Sequence, residues 1–423
     1  MPFGLTRSPR YAASSDAIFL AVTTPLPSPA APGAPRTAGT SGAAVVIIGG
    51  GIVGASIAYH LAVRGCRDIL ILERWESPAT GSTGRSAGGV RHQFNTEVNI
   101  RLSQYGIERL RHFTEEIGGF AQLRQVGYLF LITDGDTWGR YQQQVQLQRR
   151  LGVPTELLTA AEAERLVPGT VVDDVVGATF CPRDGYCDPY GIAMGYLTRA
   201  RELGARVRCS SPVTAVHVTA GRVTAVEAGG ETIGCDVMVN AAGAWAGQVG
   251  ALAGLSIPVQ PYRRTIYMTE PFAGLPDDIP FSFDVASGFY MRKEGRGLIF
   301  GLTNPNEPSS ERLDVDWEWF ETVLHHGVRR FPQLQDAQLS QKKCWSGLYE
   351  VTPDHMPVLG RHPDLLNYID ASGFSGHGVM HSPATGLLMA EEILDGRAHT
   401  IDIDELRISR FTRRSVAIET NIF

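Results

Sequence analysis

The chain has 423 residues, enough to bury a large core and more than one domain usually holds. Its 43% hydrophobic and 19% charged residues suit a soluble globular protein, and a formal net charge of −6 argues against nucleic acid, whose recognition needs a basic field. No apolar run approaches the roughly 20 residues that cross a bilayer. Six scattered cysteines without a CxxC pair read as reduced thiols rather than a disulfide frame or a zinc site, a cytoplasmic kind of composition.

Residues 1–42 stand apart. They are rich in Ala, Pro, Ser and Thr, carry Arg7, Arg10 and Arg36, and have Asp16 as their only acid. The apolar stretch Ala17–Val22 is shorter than the roughly 7–15 residues of a signal-peptide core. The segment reads as a disordered leader, with a mitochondrial transit peptide as the alternative, and is set outside the fold.

Order begins at Ala43. The continuous apolar run Ala44–Ile48 predicts a strand buried on both faces. Gly49–Gly54 turns the chain, Ala55–Val63 predicts a helix ending near Gly65, and Ile69–Leu72 a second buried strand, so the start is a βαβ unit. Val98, Leu102, Tyr105, Leu110, Phe113 and Ile117 give one amphipathic helix stopped by Gly118-Gly119. Asp188-Pro189 opens a helix that closes near Gly204. Short strands follow around Val213–Val218, Val223–Glu227 and Glu231–Cys235, with hairpin turns at Ala220-Gly221 and Gly229-Gly230. Val237–Val239 returns as a buried strand into Asn240-Ala241-Ala242-Gly243. Residues from about 255 to 340 change character, with alternating strand-like runs, prolines and the cluster Trp317, Trp319 and Phe320. Glycine-rich sequence returns at Trp345, and Ser382-Pro383 predicts the start of a last helix.

Gly49, Gly51 and Gly54 satisfy GxGxxG between a strand and a helix. The first glycine permits the tight turn, the second admits a pyrophosphate to the backbone, and the third lets helix and strand close up. Ile52 and Val53 lie at the helix start that faces the phosphates. Glu73 ends the second strand about twenty residues on, where an acid accepts from a ribose hydroxyl. Gly81–Arg91, with Arg85 and Arg91, is a glycine-rich loop placed to lie along the pyrophosphate of an extended dinucleotide; its plain alternative is a mobile surface loop. Gly373, Gly376 and Gly378 form a late cluster whose backbone N–H groups suit the partial negative charge of a reduced flavin. His377 within it reads first as a hydrogen-bonded structural histidine.

Together these segments resemble the D-amino-acid oxidase family of FAD enzymes, in its sarcosine oxidase beta-subunit and glycine oxidase-like branch. The matching stretches are Gly49–Gly54 with Glu73, the Gly81–Arg91 loop, Val239–Trp245, Thr352-Pro353-Asp354 with Pro357 and Gly360, and Gly373–Gly378. The resemblance implies a fold of the α/β and α+β classes: a Rossmann-like FAD domain from the discontinuous segments 43–125, 185–255 and 340–410, and a mixed-sheet substrate domain from 126–184 and 256–339. It adds Arg74, Ser82, Thr83, Ser86, Ala87, Gly88, Val213, Ala242, Gly243 and Gly347 to the cofactor contacts. Arg91 falls where relatives bind the substrate carboxylate, with His92 beside it, and Tyr349 matches an active-site tyrosine. Tyr290 and Arg292 lie on a strand entering the substrate domain, and His377 joins the candidates.

Other positions depart from the pattern. Met380 replaces a carboxylate-binding lysine, and Ile299 the lysine that promotes reaction with oxygen, which predicts that a dye accepts electrons better than oxygen. Gly347 replaces the cysteine that tethers FAD, with Cys344 one step too early, so the FAD is expected to be non-covalent. Pro189 stands near the histidine that holds a second flavin. The implied activity is oxidation of the C–N bond of an N-methyl, secondary or D-amino acid or amine by hydride transfer to the flavin, with oxygen or another acceptor taking the electrons. A hetero-oligomer with other oxidoreductase subunits fits this branch. The rival reading is a flavin-binding assembly, accessory or electron-transfer protein on the same fold.

Overall fold

A computed structural model describes residues 42–412 and 417–421. The leader lies outside these residues except for Gly42, which already belongs to the first strand.

Two large sheets organise the chain. In the first, Gly42–Ile48 is central, parallel to Ile69–Leu72 on one side and Glu231–Asn240 on the other. Arg206–Arg208 extends it beyond Ile69–Leu72, and Tyr368–Ser372 lies parallel to Glu231–Asn240. Val358–Arg361 adds an antiparallel edge. Gly42–Ile48 and Ile69–Leu72 lie under the helices and are largely buried, so they read as apolar runs rather than alternating ones. Ile52–Val63 packs between Pro189–Glu202 and Gly378–Leu394, and Glu97–Arg111 lies against the latter.

The second sheet runs Trp345–Val351, Gln260–Met268, Gly297–Gly301, Phe289–Glu294, Phe281–Asp284, Tyr128–Ile132, Gly177–Cys181 and Glu156–Leu158. It is mixed: Phe281–Asp284 and Tyr128–Ile132 pair in parallel, and the other pairs are antiparallel. The sequence groups residues from 340 with the nucleotide layer. Trp345–Val351 instead forms an edge of the second sheet, because its backbone finds its partner in Gln260–Met268.

Three local expectations are revised. The helix predicted as one piece up to Ile117 breaks at His112 into Glu97–Arg111 and Phe113–Ile117, while Gly118 does close the second piece in the left-handed region at φ +87°. The strands around 231–235 and 237–239 are one strand, Glu231–Asn240. The last helix begins at Gly378, ahead of Ser382-Pro383. Pro383 is tolerated inside it because the Val379 carbonyl, which would receive the missing Pro383 N–H, accepts from the Ser382 hydroxyl at 2.9 Å.

Candidate active site

A cavity of about 450 Å³ opens where the glycine loops of the first sheet meet one face of the second. Its first wall is the βα turn. Gly49 holds φ +110°, and a Cβ there would stand 2.2 Å from the Ala241 carbonyl oxygen. Gly54 is likewise closed off, by Gly49 itself; it packs helix on strand and does not line the cavity. Gly51 does line it, and beside it the Ile52 N–H donates to the Thr83 hydroxyl at 3.0 Å. Glu73 ends Ile69–Leu72 and accepts the backbone N–H groups of Gly50 and Trp75, each at 2.9 Å. Its carboxylate is therefore fixed in orientation, with lone pairs left for a ribose hydroxyl. Arg74 lies 4.5 Å from the Trp245 ring centroid and 5.0 Å from that of Trp75.

The Gly81–Ala87 loop is bolted to the second sheet rather than mobile. Ser82 donates to the Leu348 carbonyl at 2.8 Å, Arg85 to that of Ser346 at 3.1 Å, and Trp345 to that of Arg85 at 2.8 Å. Gly81, Ser82, Thr83, Arg85, Ser86, Ala87, Val213, Ala242, Gly243 and Gly347 all face the cavity. Gly88 and Gly373 do not; Gly88 sits against Cys187, and Gly373 donates its N–H to Glu350 at 2.9 Å. Gly376 lets Tyr349 lie against the backbone, since a Cβ there would meet that ring at 2.6 Å. The open cradle at Gly51, the fixed Glu73 carboxylate and Gly376 under Tyr349 fit a long dinucleotide ending in a flat ring system.

Of the residues singled out for chemistry, Arg91, Tyr290, Tyr349 and His377 line the cavity. His92 and Arg292 are not among the lining residues. Buried His92 turns its Nδ1 to Asp184 at 2.6 Å, in a cluster that also holds Cys181. Arg292 spends its donors on the Ala87 and Lys293 carbonyls and on Glu294, and lies 4.4 Å from the Tyr186 ring centroid. Ile299 is buried inside the second sheet, clear of the cavity, so it says nothing about the electron acceptor; Met380 does line the wall. Cys344 also stands off the cavity, its thiol donating to the Ser340 carbonyl at 3.4 Å.

His377 is not the hydrogen-bonded histidine its sequence suggests. Its ring is edge-on to Phe94, with centroids 5.0 Å apart, and neither ring nitrogen has a hydrogen-bond partner among the described residues. Burial, reinforced by the nearby Arg91 charge, holds its pKa well below the ordinary value, so it stays neutral. Burial raises the phenols of Tyr290 and Tyr349, leaving both protonated. Two charged cavity groups escape sequence reading, Arg264 and Glu350, as do the aromatic residues Tyr128, Phe281 and Phe283.

Burial pushes the Glu350 carboxyl up from 4.5 to about 7, partly offset by the Gly373 and Phe374 N–H groups. Between those values the folded chain keeps a proton that the unfolded chain releases, so stability falls as pH rises through this window. Glu350→Gln should remove this loss in the flavin-free protein, and its melting-temperature advantage over wild type should widen between pH 4.5 and pH 8. A constant gap across that range would contradict the assignment.

The family profile described as DAO, FAD dependent oxidoreductase, matches residues 44–392. The chain belongs to this family. It is 31% identical to FAD-dependent oxidoreductase domain-containing protein 1 of Xenopus laevis, over 89% of this chain and 84% of that protein. It is also 31% identical to the mitochondrial sarcosine dehydrogenase of Homo sapiens, over 88% of this chain but only 42% of that longer protein. Among solved structures, L-proline dehydrogenase from P. horikoshii superposes with a TM-score of 0.82 at 31% identity, covering 89% of this chain and all of that one. The protein is thus an FAD-dependent oxidoreductase of the DAO family. No helix among the described residues is long and apolar enough to cross a membrane.

Proposed function

We propose that the protein dehydrogenates the C–N bond of a small secondary, N-methyl or D-amino acid, using non-covalently held FAD. The observation that carries this reading is the chamber beside the glycine loops: Tyr128, Phe281, Phe283, Tyr290 and Tyr349 give it aromatic walls, and its histidine is neutral. Bound FAD would supply the two-electron acceptor for the hydride of the substrate's α-carbon. The chain's own task is to orient the substrate and exclude water. Tyr290 and Tyr349, held as phenols, can donate hydrogen bonds but offer no negative charge. His377, held neutral, leaves a neutral amine its lone pair. No dedicated base is needed when the amine enters unprotonated.

The names of the relatives support an amine or amino acid as substrate, since sarcosine dehydrogenase and L-proline dehydrogenase both stand among them. Anaerobic mixing of the yellow holoprotein with N-methyl, cyclic and D-amino acids should bleach the flavin with at least one of them. Acid precipitation should then leave the flavin in the supernatant. A flavin that no amine reduces would favour an accessory or electron-transfer role on the same fold.

A further inference from the structure

The second sheet presents two consecutive arginines to opposite sides. Along Gln260–Met268 side chains alternate, so Arg263 and Arg264 must part. Arg263 is buried away from the cavity and is fully compensated, within 3.0 Å of Glu307, Asp314 and Asp316. Arg264 lines the cavity and has no such partner among the described residues. Its Nη1 donates to the Arg263 carbonyl at 2.9 Å, its guanidinium lies 5.1 Å from the Tyr349 ring centroid, and its buried Nε has no acceptor. Gly347 stands directly opposite in the strand pair, and Tyr262 pairs with Tyr349. Residues directly opposite each other share a face, and the place over Gly347 is taken by Arg85, whose Cβ would lie 3.0 Å from a Cβ there.

Arg91, the other cavity arginine, is differently placed. One terminal nitrogen donates to the Gln93 carbonyl at 2.6 Å, the other to the Asn421 carbonyl, and the group lies 4.0 Å from the Phe94 ring centroid. Much of its planar donor fork is already used by the protein.

We propose that Arg264 is the anchor for a carboxylate on the substrate, with its free guanidinium edge directed past Tyr349 into the cavity. A partly buried guanidinium without a counter-charge is costly, and a planar carboxylate is the anion whose geometry matches its paired donors. Arg91 then acts as a positive wall and positioning residue rather than as the main clamp. This gives the carboxylate of that amino acid its holder in the chain, and so rests on the amine-oxidising reading.

The test is a titration of the FAD-loaded protein with propionate, read by the flavin absorbance change and by calorimetry, with propionamide as the uncharged control. Arg264→Met should raise the Kd for propionate roughly tenfold to a hundredfold, with propionamide binding and flavin content unchanged. Arg264→Lys should recover part of the affinity, and it serves as the check if the methionine variant fails to fold. Wild-type propionate affinity in Arg264→Met would overturn the proposal, as would loss of FAD instead of propionate. So would a loss of propionate binding confined to Arg91→Met. The two readings fail separately: a wild-type protein that is bleached by amines yet ignores propionate refutes Arg264 alone. Arg264-dependent propionate binding without bleaching by any amine refutes the reaction and keeps the anchor.

Discussion

Gly51→Val should give a folded protein without colour. Gly51 has an extended backbone at φ −75°, ψ −178°, which valine adopts without strain. A Cβ there would come no closer than 3.2 Å to a neighbour, the Thr83 hydroxyl oxygen. The branched side chain would therefore occupy the cradle at the N-terminus of Ile52–Val63, where a pyrophosphate must approach the backbone. Losing that approach should cost at least a hundredfold in FAD affinity while the melting temperature of the flavin-free chain stays close to wild type. Gly49→Val provides the contrast. Its left-handed backbone and the 2.2 Å approach to the Ala241 carbonyl oxygen make any side chain a defect of the fold itself. The ratio of flavin to protein absorbance, beside a thermal melt, separates the two outcomes. A Gly51→Val protein that remains yellow would place the pyrophosphate elsewhere.

Arg410→Leu should be the most destabilising single change away from the cavity. Arg410 is buried, meets Asp354 with two hydrogen bonds of 2.6 and 3.0 Å, and also donates to the carbonyls of Leu406 and Met356. Asp354 is buried as well and accepts the Met356 N–H at 3.2 Å. Removing the guanidinium strands a buried carboxylate, a loss of about 3–5 kcal/mol. The double variant Arg410→Leu with Asp354→Leu should recover part of this, because no uncompensated charge remains. Urea unfolding of the single and double variants measures the difference. Equal stability of Arg410→Leu and wild type would mean that solvent reaches Asp354 and replaces its partner.

The nucleotide half of the site is legible in the sequence because its chemistry is local. A strand, three glycines, a helix and Glu73 fall within thirty-odd residues, and each part dictates the next through turn geometry. The pattern of the chamber is not local. Arg264 reaches the cavity because of its register with Gly347, some eighty residues downstream, and Arg263 beside it looks identical in sequence. His92 seems as good a candidate as Arg91 until the turn bearing Asp184 closes over it. The Asn421 carbonyl that occupies Arg91 comes from the far end of the chain. The helix start at Gly378 escapes notice for a different reason. Proline is the stronger signal by rule, and only the Ser382 hydroxyl shows how the helix runs through it.

The strand order of the first sheet also governs how the protein is made. Gly42–Ile48 finds its second neighbour only when Glu231–Asn240 has been synthesised, and the cavity waits longer still for Gly376–Met380. Pairings so distant in sequence fold slowly, since the loop between them must be ordered before the contact repays it. A chain emerging from the ribosome therefore carries its phosphate turn well before the wall at Tyr349 and His377. Cofactor capture waits for residues 375–380, and a chain that stops before Tyr368–Ser372 bears the dinucleotide signature without the full pocket to use it.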